Sequence, residues 1–241
     1  MKLNFTGVSD PGLIRSNNQD AYYIDPEGRF FIVADGMGGH AGGEQASYIA
    51  TGQIHAYLDA NWNSPKPSEQ LLEEALLQAN QGILLDQQNH PERSDMGTTI
   101  VVVIFRSKEP PLCAHVGDSR LYRFRDSQLE QLTQDHTWVA RALKIGEITP
   151  EESRIHPFRH VLSRCLGRED LNHIDVQHLD VKAGDRLLLC SDGLTEELAD
   201  QKIAYYLKEI PLVEKTALSL VEAAKEHGGH DNITVVIVAL E

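Results

Sequence analysis

Four aspartates in this chain stand where apolar runs end or begin. Phe30-Phe31-Ile32-Val33-Ala34 leads into Asp35, Ala114-His115-Val116-Gly117 into Asp118, and Leu187-Leu188-Leu189-Cys190-Ser191 into Asp192. Asp231, followed by Asn232, precedes the run from Ile233 to Leu240. A carboxylate at the end of a buried strand does not stay charged in apolar surroundings without a partner. One such residue reads as a turn, and Asp-Gly, found at Asp35-Gly36 and Asp192-Gly193, is a common turn pair. Four at one kind of place point instead to a shared cluster of negative charge, which hard divalent cations on oxygen ligands would hold together. Oxygen-only ligation indicates Mg²⁺ or Mn²⁺. The glycines after Asp35 and Asp192 are expected to turn the backbone sharply and bring a carbonyl oxygen near the ion. Zinc is disfavoured, because H-E-x-x-H and paired cysteines are absent and the eleven histidines show no ligand spacing.

Two further side chains could act beside such a cluster. Arg15, in Ile14-Arg15-Ser16-Asn17-Asn18-Gln19-Asp20, has a guanidinium suited to gripping a phosphate or carboxylate in a bidentate manner. Taken alone, it reads as a surface ion-pair residue. His40 lies in Gly36-Met37-Gly38-Gly39-His40-Ala41-Gly42-Gly43 and could donate a proton to a leaving alkoxide. The same stretch formally fits the G-x-G-x-x-A fingerprint of a dinucleotide site. That reading is disfavoured: Asp35 would sit beside a pyrophosphate, and the next segment is patterned as another helix, not a parallel strand. A module that only binds phosphoproteins is the third reading, and the presence together of four aspartates, Arg15 and the glycine turn speaks against it.

The elements that would position these residues can be read from periodicity. Tyr22–Ile24 and Phe30–Ala34 form a hairpin around Asp25-Pro26-Glu27-Gly28. Ala46, Ile49, Ala50, Ile54 and Leu58 make one helical stripe, and Leu71, Leu72, Ala75, Leu76, Ala79, Ile83 and Leu84 make a second. Strands follow at Thr98–Phe105, Leu112–Val116 and Leu121–Phe124, and again at Val176–Leu179, Arg186–Cys190 and Ile233–Leu240. Helices are expected near Gln201–Lys208 and Val213–Glu226, the latter ended by Gly228-Gly229. Between them, about 136–171 is rich in His and Arg and reads as an insertion packed on the main body, a flap over a site. Within it, Thr149-Pro150-Glu151-Glu152 has the form of an N-cap with proline at the first helical position. Hairpin-linked strands and paired helices indicate an α+β chain of antiparallel sheets with helices segregated outside them.

Bulk properties bound the function. The 241 residues suffice for one large domain or two small ones, are 41% hydrophobic and carry a formal charge of -14. That charge argues against nucleic acid or an anionic membrane as the main partner. Cys113, Cys165 and Cys190 form no C-x-x-C pair and fit buried reduced thiols in a cytoplasmic protein. Neither a signal peptide nor a membrane span is expected.

The ordered motifs Arg15-Ser16-Asn17-Asn18-Gln19-Asp20, Asp35-Gly36-Met37-Gly38-Gly39-His40, Met96-Gly97-Thr98-Thr99, Val116-Gly117-Asp118-Ser119-Arg120, Ser191-Asp192-Gly193 and Gly229-His230-Asp231-Asn232-Ile233-Thr234 span nearly the whole chain. With them the sequence resembles the metal-dependent Ser/Thr protein phosphatases of the type 2C family, especially the short bacterial forms. The resemblance implies a single catalytic domain over 1–241, built as a four-layer α-β-β-α sandwich with helix pairs outside two antiparallel sheets. It implies that Asp35 bridges two ions with the Gly36 carbonyl completing one site, that Asp192 and Asp231 bind the other ion, and that Asp118 with Asp192 holds a weaker third. Arg15 would bind the substrate phosphate and His40 would be the general acid, with no phosphoenzyme formed as a metal-bridging water or hydroxide attacks phosphorus. The flap would influence substrate choice. Many relatives carry an acid where this chain has Gln19, beside Asp20, and use the pair to order metal-bound water; here a softer effect on metal affinity is expected. The implied substrates are phosphorylated proteins, with a PII-type nitrogen regulator as one candidate, and the expected state is a stand-alone monomer.

Overall fold

The computed structural model describes residues 2–39, 42–107 and 109–241. Two antiparallel sheets lie face to face. One is ordered β1 (Leu3–Asp10), β11 (Ile233–Leu240), β10 (Arg186–Cys190), β7 (Arg120–Arg125), β8 (Gln128–Gln131). The other runs β2 (Asp20–Ile24), β3 (Phe30–Met37), β5 (Ile100–Ile104), β6 (Leu112–Val116), β9 (Asp175–His178), with the short β4 (Gly97–Thr98) paired antiparallel to the end of β3. Helices α1 (Gly42–Asn61) and α2 (Ser68–Asn89) cover the β3 sheet; α5 (Asp192–Thr195), α6 (Asp200–Glu209) and α7 (Val213–His227) cover the β11 sheet.

This layering explains why the central strands are apolar on both faces. Phe30, Ile32 and Ala34 of β3 pack with Ile54, Leu58 and Leu76 of the outer helices, while Phe31 and Val33 point into the space between the sheets. β11 does the same, with Ile233, Val235 and Ile237 toward the helices and Val236, Val238 and Leu240 toward the other sheet. Side chains alternate across a strand, so a strand sandwiched between helices and a second sheet needs apolar residues at every position. Each strand therefore reads as a continuous run, and each run can end only where the layers end.

The β2–β3 hairpin forms with Ile24 opposite Phe31, and the Asp25 carboxylate caps its turn by accepting the N–H groups of Glu27 and Arg29. The expected helices form with small shifts in their ends. Three differences from the sequence reading matter. β1 and β8 are half-buried edge strands whose mixed composition carries no strong signal. The glycine stretch is not a turn throughout: Gly36 and Met37 still belong to β3 and pair with Thr98 and Gly97. The strand expected at Thr98–Phe105 is split at Thr99 into β4 and β5.

Residues 136–171 hold two short helices, α3 (Trp138–Lys144) and α4 (Pro150–Ile155). Thr149 caps α4 through a reciprocal pair of bonds with Glu152, with Pro150 in the first turn, as its motif indicated. The segment is stitched back to the body by mutual backbone bonds between Thr98 and Leu166 at 3.1 and 2.8 Å. No helix among the described residues is long and apolar enough to cross a membrane.

Candidate metal centre

The sandwich brings the aspartates to one end. Asp35 lies near the C-terminal end of β3, and Asp20 opens β2 directly opposite it in the ladder. Asp118 sits in the connection between β6 and β7, where the chain crosses from one sheet to the other. Asp192 follows β10 at the start of α5, and Asp231 precedes β11. All five are half-buried at the rim of the layers. The carboxyl groups of Asp35 and Asp192 come within hydrogen-bonding reach of each other.

Electrostatics follow from this crowding. Burial, and then the charges of Asp20, Asp192, Asp118 and Asp231, hold the Asp35 carboxyl well above the usual carboxylate range. Burial followed by Asp192 and Asp135 does the same to Asp118, and burial followed by Asp231 raises Asp192. Burial pushes Asp20 up to about 7 even though the Ser191 hydroxyl donates to it at 2.7 Å. The guanidinium groups beside the cluster are already committed. Arg15 donates to Asp231 at 2.8 Å, and Arg120 is paired bidentately with Asp135, its shortest contact 2.7 Å. Arg15 is itself raised by that bond to Asp231 and, more weakly, by Asp35 and Asp192, so it faces the whole cluster.

The donor set fits divalent cations. It is all oxygen, its negative charge exceeds what Arg15 and Arg120 can offset, and one atom, Oδ1 of Asp20, is buried without a hydrogen-bond partner. A buried carboxylate oxygen is costly unless something positive or a donor meets it.

Neighbouring polar residues explain how the aspartates are aimed. The backbone of Asp35 is held on both sides: its N–H donates to Thr99 Oγ1 at 3.0 Å, and its carbonyl accepts from Thr98 Oγ1 at 2.8 Å and the Thr99 N–H at 2.9 Å. Thr99 Oγ1 also meets Ser119 Oγ at 2.6 Å, which ties Asp35 to the residue after Asp118. Asn232 binds the Arg15 segment to β11, accepting from the Gln19 N–H at 2.7 Å and donating to the carbonyls of Pro11 and Asn17 at 3.0 and 2.9 Å. The sequence reading assigned these residues no roles of their own. Their signal was present, as polar residues beside the aspartates that the strand pattern forces into buried positions.

Gly36 acts differently from expectation. Gly36 is extended strand and makes no sharp turn. A Cβ there would lie 2.0 Å from the Gly43 carbonyl oxygen and 2.6 Å from that of Gln19, so the first turn of α1 can approach β3 only at glycine. Gly193 likewise leaves room for the Asn232 carbonyl, 2.0 Å from where a Cβ would stand. Gly36→Ala is therefore expected to cost about 3 kcal/mol through overpacking. A denaturation curve checks this; a midpoint equal to that of the parent chain would refute the close-approach account.

Gln19 contributes through its backbone: its carbonyl accepts from the Gly36 N–H at 3.1 Å and from Ser47 Oγ at 2.6 Å. His40 lies outside the described residues. The fold also assembles histidine groups that linear spacing did not show. His115, His136 and Asp175 bring ligand-type atoms within 4.8 Å of one another, as do His160, Asp192 and Glu196. In the second group His160 of the 136–171 segment meets Glu196 at 2.7 Å, so that segment touches the rim of the cluster.

The family model for protein phosphatase 2C matches residues 15–227. The chain belongs to the protein phosphatase 2C family. It is 39% identical over 238 residues to the serine/threonine protein phosphatase PstP of Mycobacterium tuberculosis, an alignment covering 98% of this chain and 44% of that protein. The chain thus spans under half the length of that relative. It is 37% identical to the protein phosphatase PhpP of Streptococcus pneumoniae, covering 97% of this chain and 96% of the other. A crystal structure of the catalytic domain of PstP in complex with two manganese ions superposes with a TM-score of 0.87, at 35% identity and covering 99% of both chains. Family membership accounts for the two antiparallel sheets with flanking helices.

Proposed function

We propose that this chain hydrolyses phosphoserine and phosphothreonine on proteins. The observation that carries this reading is the convergence of Asp20, Asp35, Asp118, Asp192 and Asp231 with Arg15 at one end of the sandwich. Asp35, the Gly36 carbonyl, Asp192 and Asp231 would hold two ions, with Asp118 and Asp192 at a weaker third position. When bound, such ions supply Lewis acidity, lowering the pKa of water and offsetting charge that develops at phosphorus.

The chain's own groups supply position. Arg15 is half-exposed and spends Nη2 on Asp231, which leaves further N–H donors for a phosphate oxygen arriving from solvent. Asp20, with its unpartnered Oδ1, would order water at the cluster, and Gln19 would support it from the backbone. The general-acid role of His40 rests on the sequence motif. The segment 136–171, within a single domain, would act as a flap, since His160 reaches the Asp192 side of the site.

A PII-type regulator as substrate is supported by the resemblance alone, and a panel of phosphoproteins that includes one tests it. A cytoplasmic location is supported by three buried free cysteines, which suit a reducing compartment; the monomeric state rests on the sequence reading alone. Dinucleotide binding loses its remaining support: β3 is followed by α1 and then α2, and its sheet neighbours are antiparallel. Hydrolysis of p-nitrophenyl phosphate and of a phosphoserine peptide with Mn²⁺, and its loss with chelator, is the expected result. Binding of phosphopeptide without turnover would favour the non-catalytic reading instead.

A further inference from the structure

His136 and Asp175 lie outside the aspartate cluster, yet they hold the backbone that presents one of its members. His136 is 3% exposed, and its two ring nitrogens have different partners. Nδ1 accepts the Gly117 N–H at 3.1 Å, and Nε2 meets Asp175 Oδ2 at 2.8 Å. The His136 N–H also donates to the Gly117 carbonyl at 2.9 Å, so both peptide groups of Gly117 are bound to this one residue. Gly117 is the residue before Asp118. It adopts φ +108° and is pressed against Thr99, with a Cβ position 2.6 Å from the Thr99 Cβ. Thr99 in turn holds Asp35 and Ser119. A shift at Gly117 therefore moves the carboxylate of Asp118.

The hydrogen bonds dictate the state of the ring. An N–H donor facing Nδ1 requires a lone pair there, so the single proton of the neutral ring sits on Nε2 and is donated to Asp175. Asp175 is anchored by Arg164 at 3.2 Å and His173 at 2.8 Å, so it arrives as a fixed acceptor. This arrangement also argues against reading His115, His136 and Asp175 as a cation site. Both nitrogens of His136 are already engaged, and the His115 ring stacks on it, nearly parallel at 4.6 Å, rather than converging with it on a point. Burial, reinforced by His115, lowers the His136 pKa to about 4, consistent with a ring that stays neutral.

We infer that the His136–Asp175 pair positions Asp118 by fixing the imidazole tautomer that accepts the Gly117 N–H, and thereby sets the affinity of the weakest cation position in the cluster. This rests on the phosphatase reading for the role of Asp118. His136 touches no reacting atom and is a positioning residue.

The substitutions that test it separate the two ring nitrogens. Asn places its carbonyl oxygen where Nδ1 lies; Gln reaches the position of Nε2 and leaves the Gly117 N–H unmet. Direct Mn²⁺ titration by calorimetry on H136Q, H136N and the parent chain is the measurement. The expected result is a loss of about tenfold or more in the weakest binding event for H136Q, the scale on which groups that orient ligands act. The tighter events should be unchanged, and H136N should stay close to the parent. Phosphatase activity of H136Q should recover as Mn²⁺ is raised. If H136Q does not fold, D175N is read in its place: an amide donor facing Nε2 favours the other tautomer, and the same selective loss is expected. Equal isotherms for H136Q and the parent would overturn the inference, as would H136N binding as weakly as H136Q. A parent chain that binds no Mn²⁺ would sink the phosphatase reading instead.

Discussion

Asp35→Asn is expected to lower Mn²⁺-dependent hydrolysis of a phosphoserine peptide by at least about 10³-fold while leaving the chain folded. Charge stabilisation by bound ions contributes several kcal/mol to reactions of this kind, and each ~1.4 kcal/mol is a factor of ten in rate. Asp35 is the member of the cluster that feels all the others: Asp20, Asp192, Asp118 and Asp231 each raise it. Its backbone is independently fixed by Thr98 and Thr99, so an isosteric amide should keep the local geometry. Without metal, the variant should melt no lower than the parent, because burial and its neighbours already favour a neutral group at that position. Steady-state kinetics and a thermal melt read the two halves separately. A variant turning over within about tenfold of the parent would remove Asp35 from the centre of the mechanism.

The second large effect is a reversal of the usual acid sensitivity. Asp20, Asp35, Asp118 and Asp192 all have folded pKa values above their ordinary ones, with Asp20 at about 7. An acid raised in this way binds more protons folded than unfolded, so its contribution to stability falls with rising pH. That contribution is complete below the unfolded value near 3.9 and is lost as pH climbs through the folded value. The metal-free protein should therefore lose melting temperature from ~pH 5.5 to ~pH 8, and Asp20→Asn should flatten the slope. Cations compete with those protons, so the stabilisation by Mn²⁺ should grow over the same range. At about 100 times its dissociation constant a single ion adds about 2.7 kcal/mol, roughly 5–10 °C for a chain of this size. Scanning calorimetry with chelator and with Mn²⁺ checks both trends. A chelated protein that becomes more stable toward pH 8, with a Mn²⁺ shift indifferent to pH, would contradict the crowded-carboxylate picture.

Sequence determined a good deal here, because the physics involved is local or periodic. A strand buried on both faces must be apolar at every position, so β3, β5, β10 and β11 stand out as runs, and a carboxylate can follow such a run only where the layers end. The helical stripes of α1 and α2 and the N-cap at Thr149 are read from local spacing. The choice of hard cations followed from donor chemistry alone. What only the tertiary structure decided lies across long sequence separations. It placed Asp20 opposite Asp35, committed Arg15 to Asp231, made Gly36 a point of helix contact in place of a turn, and paired His136 with Gly117 on one side and Asp175 on the other. None of these has a period or a neighbour in the chain. Each depends on where two layers meet, and on which polar groups burial then obliges to find one another.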